Sequence, residues 1–304
     1  MSGLLDEYEF ALCLTHDVDR PYKSFHAPYY AITERDLTHI WSAVRGEQPY
    51  WQFDELMRLE EDLGVRSSFY FLNEKRLLHD KKPFEWIKPI NWVLYTGRYA
   101  LSDERIINVI QKLERGGWEV GLHGSYDSYA EFDRLQYEKK TLEQLLEGKI
   151  IGGRQHYLNL NQPETWEYHR KIGLKYDSSM GSSSEYGFNG QYGVLRPFED
   201  EFVVFPVTIM ENALMNATES FDEAWEECEA LLQEAQEQGA IMTVLWHLKF
   251  INNQEFPGYR EIYERIVKTA QSMGAWVGSC RGCYEQLDLE RDSTDIVQTW
   301  RDVP

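Results

Sequence analysis

The 304-residue chain predicts an α/β fold built on a parallel sheet, open or closed. Three observations carry this prediction. Short apolar runs alternate with helix-period segments along the whole length. No internal repeat, low-complexity stretch or Pro/Gly/Ser linker divides the sequence, so residues 1–304 read as one domain. Five of the apolar runs stop on ionisable residues, which a closed parallel barrel would gather at one mouth.

Taken in order, FALCLT (10–15) reads as a buried strand running into His16-Asp17-Val18-Asp19. FDELMRLEEDLG (53–64) sets Phe53, Leu56, Met57, Leu59 and Leu63 near helical spacing and stops at Gly64. SSFYFL (67–72) is rich in β formers. After Ser102, Ile106, Ile110 and Leu113 share a helix face that ends at Gly116-Gly117. WEVGL (118–122) is a strand that runs into His123. Phe132, Leu135, Leu142, Leu145 and Leu146 predict a helix closed by Gly148. KIIGG (149–153) is a strand followed by Arg154-Gln155-His156. Pro163 opens and Gly173 closes the next helix. LKYDSS (174–179), FVVFPVTIM (202–210), IMTVLWH (241–247) and AWVGS (275–279) are further strands, delivering Asp177 and His247. Ser220-Phe221-Asp222-Glu223 is a capping box at a helix start. Two long connections, 20–50 and 73–101, follow strands and so belong at the C-terminal mouth of a barrel.

Composition excludes several classes. With 51 acidic and 31 basic residues the net charge is −20, which repels phosphate backbones and anionic membranes. No nucleic-acid partner and no membrane insertion are expected. The N-terminus, MSGLLDEYEF, lacks a signal-peptide pattern, and no apolar run reaches the roughly 20 residues that span a bilayer. The expectation is a soluble, cytoplasmic protein. Cys13, Cys228, Cys280 and Cys283 are too thinly spread for a disulfide framework. Cys280-Arg281-Gly282-Cys283 can be a redox pair or half of a zinc site, but no second pair accompanies it, and a packing role is favoured. Aromatic residues, 14% of the chain, suit a pocket that stacks on sugar rings.

A histidine at a strand end is more often a hydrogen-bonded rim residue than a ligand, and an aspartate after a strand often caps a helix. Asp127, in GLHGSYDSY (121–129), has that alternative. Asp17 and Asp19 are two residues apart and face one side of an extended chain. Two carboxylates this close repel unless a cation sits there. One carboxylate on a metal, with the other free to take a proton, needs this arrangement. Arg154 could hold the free one ionised and in place.

The motifs together resemble the polysaccharide deacetylase superfamily, carbohydrate esterase family 4. THDVD (15–19) resembles its first motif. GLHGSYDS (121–128) resembles the second, His-Ser/Thr-x-x-His, and GGRQHYL (152–158) the Arg-bearing third. YDSS (176–179) stands where a fourth is expected, and LWH (245–247) resembles the fifth, Leu-x-His. The run RQHYLNLNQPETW with IGLKYDSSMG is similar to a branch linked to surface-polysaccharide biosynthesis. The resemblance covers roughly residues 10–280. It implies a distorted (β/α) barrel of about seven parallel strands and a divalent metal, zinc first, with manganese, cobalt and nickel as alternatives.

It also implies roles. Asp17 is the expected base, His247 the general acid, Arg154 the residue that orients the base, and Asp177 a tuner of the acid. The expected metal ligands are Asp19, His123 and Asp127. Asp127 is a departure, because the family pattern has histidine there. His156, two beyond Arg154, is the alternative third ligand. Tyr126, His156, Tyr157 and Trp246 are expected to touch substrate, with Trp86, Trp92 and Tyr95 as further pocket candidates. The implied activity removes N-acetyl groups from an amino-sugar-containing glycan or its precursor. An amide hydrolase of a small non-sugar substrate and an inactive carbohydrate-binding homologue are the rival readings.

Overall fold

The computed structural model describes residues 4–23, 48–198, 200–287 and 297–298. Its strands are β1 (Ala11–Val18), β2 (Ser68–Leu72), β3 (Glu119–Gly124), β4 (Gly152–Gln155), β5 (Tyr176–Asp177), β6 (Val194–Leu195), β7 (Val203–Val204), β8 (Ile209–Met210), β9 (Ile241–Leu245), β10 (Trp276–Gly278) and β11 (Val297–Gln298). They form one sheet in the order β11-β6-β7-β5-β4-β3-β2-β1-β9-β8, with β10 beside the start of β1. All pairs are parallel except β6–β7. The stretch after β7 carries the curve round. The Val207 amide donates to Met180 O, just past β5, and the Thr208 amide donates to Thr243 O in β9. The result is the expected distorted barrel, with β1–β4 and β9 as its long staves.

FVVFPVTIM divides into β7 and β8 because Pro206 has no N–H to give a ladder. KIIGG yields a strand that starts only at Gly152. A Cβ there would lie 1.8 Å from the Tyr176 ring, so the glycine lets that ring lie against the β4 backbone. The connection expected at 20–50 lies outside the described residues from 24 to 47. The 73–101 connection holds the short helices Leu77–Asp80 and Pro89–Tyr95.

Two-residue alternation sorts each strand. On β1, Ala11 and Cys13 join an interior cluster with Tyr70, Tyr176 and Ile241. Leu12, Leu14 and Val18 face the outer layer, which includes helices Phe53–Asp62, Glu104–Arg115, Phe221–Gln238 and Tyr259–Ser272. Helix Phe53–Asp62 buries Phe53, Leu56, Met57 and Leu59 on one stripe. Each such side chain contributes about 1.5–3 kcal/mol of burial free energy. Ser220 caps its helix, accepting the Glu223 amide at 3.1 Å.

His16, in the first motif, has the outward parity. Its Nδ1 donates to Trp246 O at 2.6 Å and its Nε2 lies 3.0 Å from the buried Glu60, so it is a structural group. All four cysteines are buried, and Cys13, Cys280 and Cys283 pack in the interior cluster. No helix among the described residues is long and apolar enough to cross a membrane.

Candidate metal and catalytic site

The inward parity that places Cys13 also turns Asp17 and Asp19 into the barrel mouth. On β3 it turns His123 inward and on β4 Arg154; His156 follows in the 3₁₀ turn directly after β4, and His247 comes after β9. Asp17, Asp19, His123, His156 and His247 line one cleft of about 230 Å³.

Arg154 lies beneath this cleft, fully buried and fixed on several sides. Its Nη1 donates to Asp17 Oδ1 at 2.9 Å and to Thr15 Oγ1 at 2.8 Å. Its Nη2 donates to Ser178 Oγ at 2.8 Å and its Nε to Ser178 O at 2.6 Å. Burial opposes ionisation of Asp17, but Arg154, then His123 and His247, hold its carboxyl below the usual range. Asp17 Oδ2 is turned to the cleft, 3.8 Å from His123 Nε2.

Asp19 Oδ1 lies 3.2 Å from His123 Nε2 and 3.3 Å from His156 Nε2. One ligand atom from each of these three residues lies within 4.8 Å of the others, a group able to hold a metal ion. The chemistry of the donors fits. His123 Nδ1 donates to Arg154 O at 2.9 Å, which aims Nε2 at Asp19; burial opposes a charged ring, but Asp17 and Asp19 raise its pKa, and the Nε2 proton shared with Asp19 is the one a bound cation would replace. Burial pushes His156 down to about 4, against the pull of Asp19 and Glu74, so its imidazole is neutral as a ligand must be. Its Nδ1 sits 3.4 Å from Glu74 Oε2. Arg98, from the 73–101 connection, brings Nη2 to 3.2 Å from His156 Nε2.

His247 Nδ1 donates to Glu211 Oε1 at 2.6 Å, and its Nε2 points back toward Asp19 Oδ2 at 3.6 Å. Burial opposes the charged imidazole, but Glu211, then Asp19 and Asp17, raise it to about 9. Glu211 is a site residue the sequence reading missed. It directly follows β8, so the strand-end rule applied to FVVFPVTIM would have found it.

Several expectations need correction. Asp127 stands apart from the Asp19–His123–His156 group. Its Oδ2 accepts from Lys81 at 2.5 Å, Tyr95 at 3.1 Å and Lys75 at 3.2 Å. To share one ion with His123, four residues earlier, Asp127 would need a helix starting at His123. The residue is still in β3, and a 3₁₀ turn, Ser128–Ala130, follows. Asp127 makes no capping bond either. Asp177 does not reach His247. Its register partner is Gly153, an outward position on β4, and it accepts from Trp166 Nε1 and Ser179 beside His169. Trp246 is fully buried among Tyr259 and Tyr263, because the residue before His247 must face the other way. Tyr126 packs edge-on against Tyr95 and Tyr157 and does not line the cleft. Tyr157 does line it. Trp86 packs in a small cluster with Leu77 and Leu94, and Trp92 is exposed outside the cleft.

No protein-family model matches the chain, and no curated protein matches it. Solved structures do. A structure assigned as a polysaccharide deacetylase from Mycobacterium smegmatis aligns with TM-score 0.61 at 16% identity, over 94% of this chain and 92% of its own. A second so assigned, from Pseudomonas aeruginosa PAO1, gives 0.58 at 14% identity, over 94% of each chain. PuuE allantoinase gives 0.56 at 13%, over 94% and 93%.

Proposed function

We propose that this chain, whose fold is that of the polysaccharide deacetylases, is a metal-dependent hydrolase that removes N-acetyl groups from amino sugars. One observation carries the reading. Asp17 and His247, each locked by its own partner, flank the Asp19–His123–His156 group in one cleft. A pure binding protein needs no such base and acid.

Asp19, His123 and His156 would hold the ion. Two imidazoles and a carboxylate suit zinc, with manganese, cobalt and nickel as alternatives. When bound, a divalent cation supplies Lewis acidity toward water and an acyl oxygen. The protein's own groups do the rest. Arg154 occupies Asp17 Oδ1, so Oδ2 is the oxygen that takes the proton of the attacking water. Glu211 fixes the Nδ1–H of His247, so Nε2–H faces the cleft and donates to the leaving nitrogen. Tyr22, Tyr50 and Tyr157 line the same cleft with flat rings suited to sugar faces. A surface-glycan precursor as substrate follows the resemblance of RQHYLNLNQPETW. The allantoinase likeness keeps a small cyclic amide as the second reading.

The test is a calorimetric titration of Zn²⁺ and Mn²⁺ into metal-free protein, with an acetate-release screen on N-acetylhexosamine derivatives and a ring-opening assay on allantoin. Wild type should bind one ion and release acetate. His123→Ala and His156→Ala should lose the ion, whereas Asp127→Ala should keep it. Asp17→Asn should keep the ion and lose about 10²–10⁴-fold in rate. Metal retained by His156→Ala but lost by Asp127→Ala would falsify the ligand set. Allantoin turnover without acetate release would replace the sugar reading.

A further inference from the structure

Ten large hydrophobic residues are exposed among the described residues, and six fall within 78–93: Leu78, Phe84, Ile87, Ile90, Trp92 and Val93. They are 42–82% exposed. The opposite side of the same segment is anchored, with Leu77, Leu94 and Tyr95 buried around Trp86 and Tyr126. Its charge is also unlike the rest. Residues 75–98 hold six basic side chains against Asp80 and Glu85, in a chain of net charge −20. Lys75 and Lys81 turn inward to Asp127, while Arg76, Lys82 and Lys88 remain exposed beside the apolar residues. Lys88 lies over the Phe84 ring at 5.9 Å. Exposed apolar clusters of this kind mark interaction sites. Tryptophan, phenylalanine and isoleucine interleaved with lysine are the composition of segments that lie in a bilayer interface.

We propose that residues 77–95 dock this protein on an anionic lipid surface, with the six apolar side chains in the headgroup region and Arg76, Lys82 and Lys88 facing lipid phosphates. The acidic remainder of the molecule is repelled from the same surface, which sets its orientation. The docked segment adjoins the cleft. Arg20, a cleft residue, donates to Val93 O, and Arg98 reaches His156. Under the deacetylase reading, on which this one consequence rests, the cleft would meet a lipid-borne sugar headgroup at the interface.

The test is co-sedimentation of the full-length chain with phosphatidylcholine vesicles, with and without about 30% phosphatidylglycerol, at low and high salt. Binding should require the anionic lipid and weaken with salt. Lys82→Gln and Lys88→Gln should each lower it about fivefold, the equivalent of roughly 1 kcal/mol per cation. Ile87→Asn with Ile90→Asn should abolish it while leaving the melting temperature within about 2 °C, since both positions are solvent-exposed. Binding unchanged in the Asn variant, or none by wild type, overturns the proposal. So does a vesicle-free dimer, seen by sedimentation velocity, that the Asn variant dissolves. Vesicle binding does not depend on turnover, so Asp17→Asn should sediment as wild type does. Failure here leaves the deacetylase reading intact, and failure of that reading leaves this one intact.

Discussion

Glu211 determines what His247 can do. Without it, burial would favour a neutral imidazole, which lacks the second N–H that the proposed reaction would pass to a leaving group. With it, the ring stays protonated to about pH 9. In metal-free protein, the His247 ring resonances should titrate near 9 by NMR and shift down toward the ordinary value in Glu211→Gln. The sign for stability follows. A histidine raised on folding stabilises the native state fully below its unfolded pKa, about 6.5, and that contribution is lost as pH rises through about 9. The melting temperature of wild type should therefore fall across that window, and the fall should shrink in Glu211→Gln. An unchanged slope would remove Glu211 as the partner. Asp127 teaches the same lesson from the other side. Its neighbours are two lysines and a tyrosine of the 73–101 connection, so it ties that connection to the exit of β3 instead of ligating.

At the scale of the element, the turn after β3 depends on a carboxyl group from the following helix, Phe132–Glu143. Buried Glu138 accepts the Ser125 amide at 3.0 Å and Arg134 Nε at 2.5 Å. Burial raises its carboxyl from near 4.5 to about 7, although Arg134 and Ser125 oppose the shift. An acid raised on folding loses native-state stability as it ionises. Stability should therefore fall by on the order of 1–3 kcal/mol between pH about 4.5 and 7, a lower window than that of His247. Chemical denaturation of Glu138→Gln at several pH values should show that slope removed. A parallel pH dependence in mutant and wild type would show that Glu138 is not buried as a proton carrier. The strands themselves were readable because alternation needs only the local chain. The splitting of FVVFPVTIM was readable too, from Pro206. The 3₁₀ turn at Ser128–Ala130 was not, because the Gly-Ser step is compatible with either turn or helix.

For the whole molecule, the net charge of −20 sets opposite responses to salt. Screening relieves self-repulsion of the folded state, so the melting temperature should rise by a few degrees, on the order of 2–5 °C, from about 10 mM to 0.5 M NaCl. Vesicle binding through Arg76, Lys82 and Lys88 should fall over the same range. A melting temperature that drops with salt would mean that ion pairs such as Lys81–Asp127 outweigh the general repulsion.

The sequence alone determined a parallel α/β sheet, open or closed, whose strands end in ionisable residues, because apolar runs and a two-residue repeat are local properties. The distorted barrel, and the choice of Asp17, Asp19, His123, Arg154 and His247 among those strand-end groups, followed from the resemblance of the ordered motifs. The outward turn of Trp246 is legible in the same two-residue repeat, since it directly precedes His247. Only the tertiary structure decided that His156 joins Asp19 and His123, that Asp127 leaves them, and that Glu211 rather than Asp177 serves His247. These depend on inter-strand register and on where turns send the chain. Glu211 and His247 are 36 residues apart and meet because β8 lies beside β9, a pairing that no local pattern specifies.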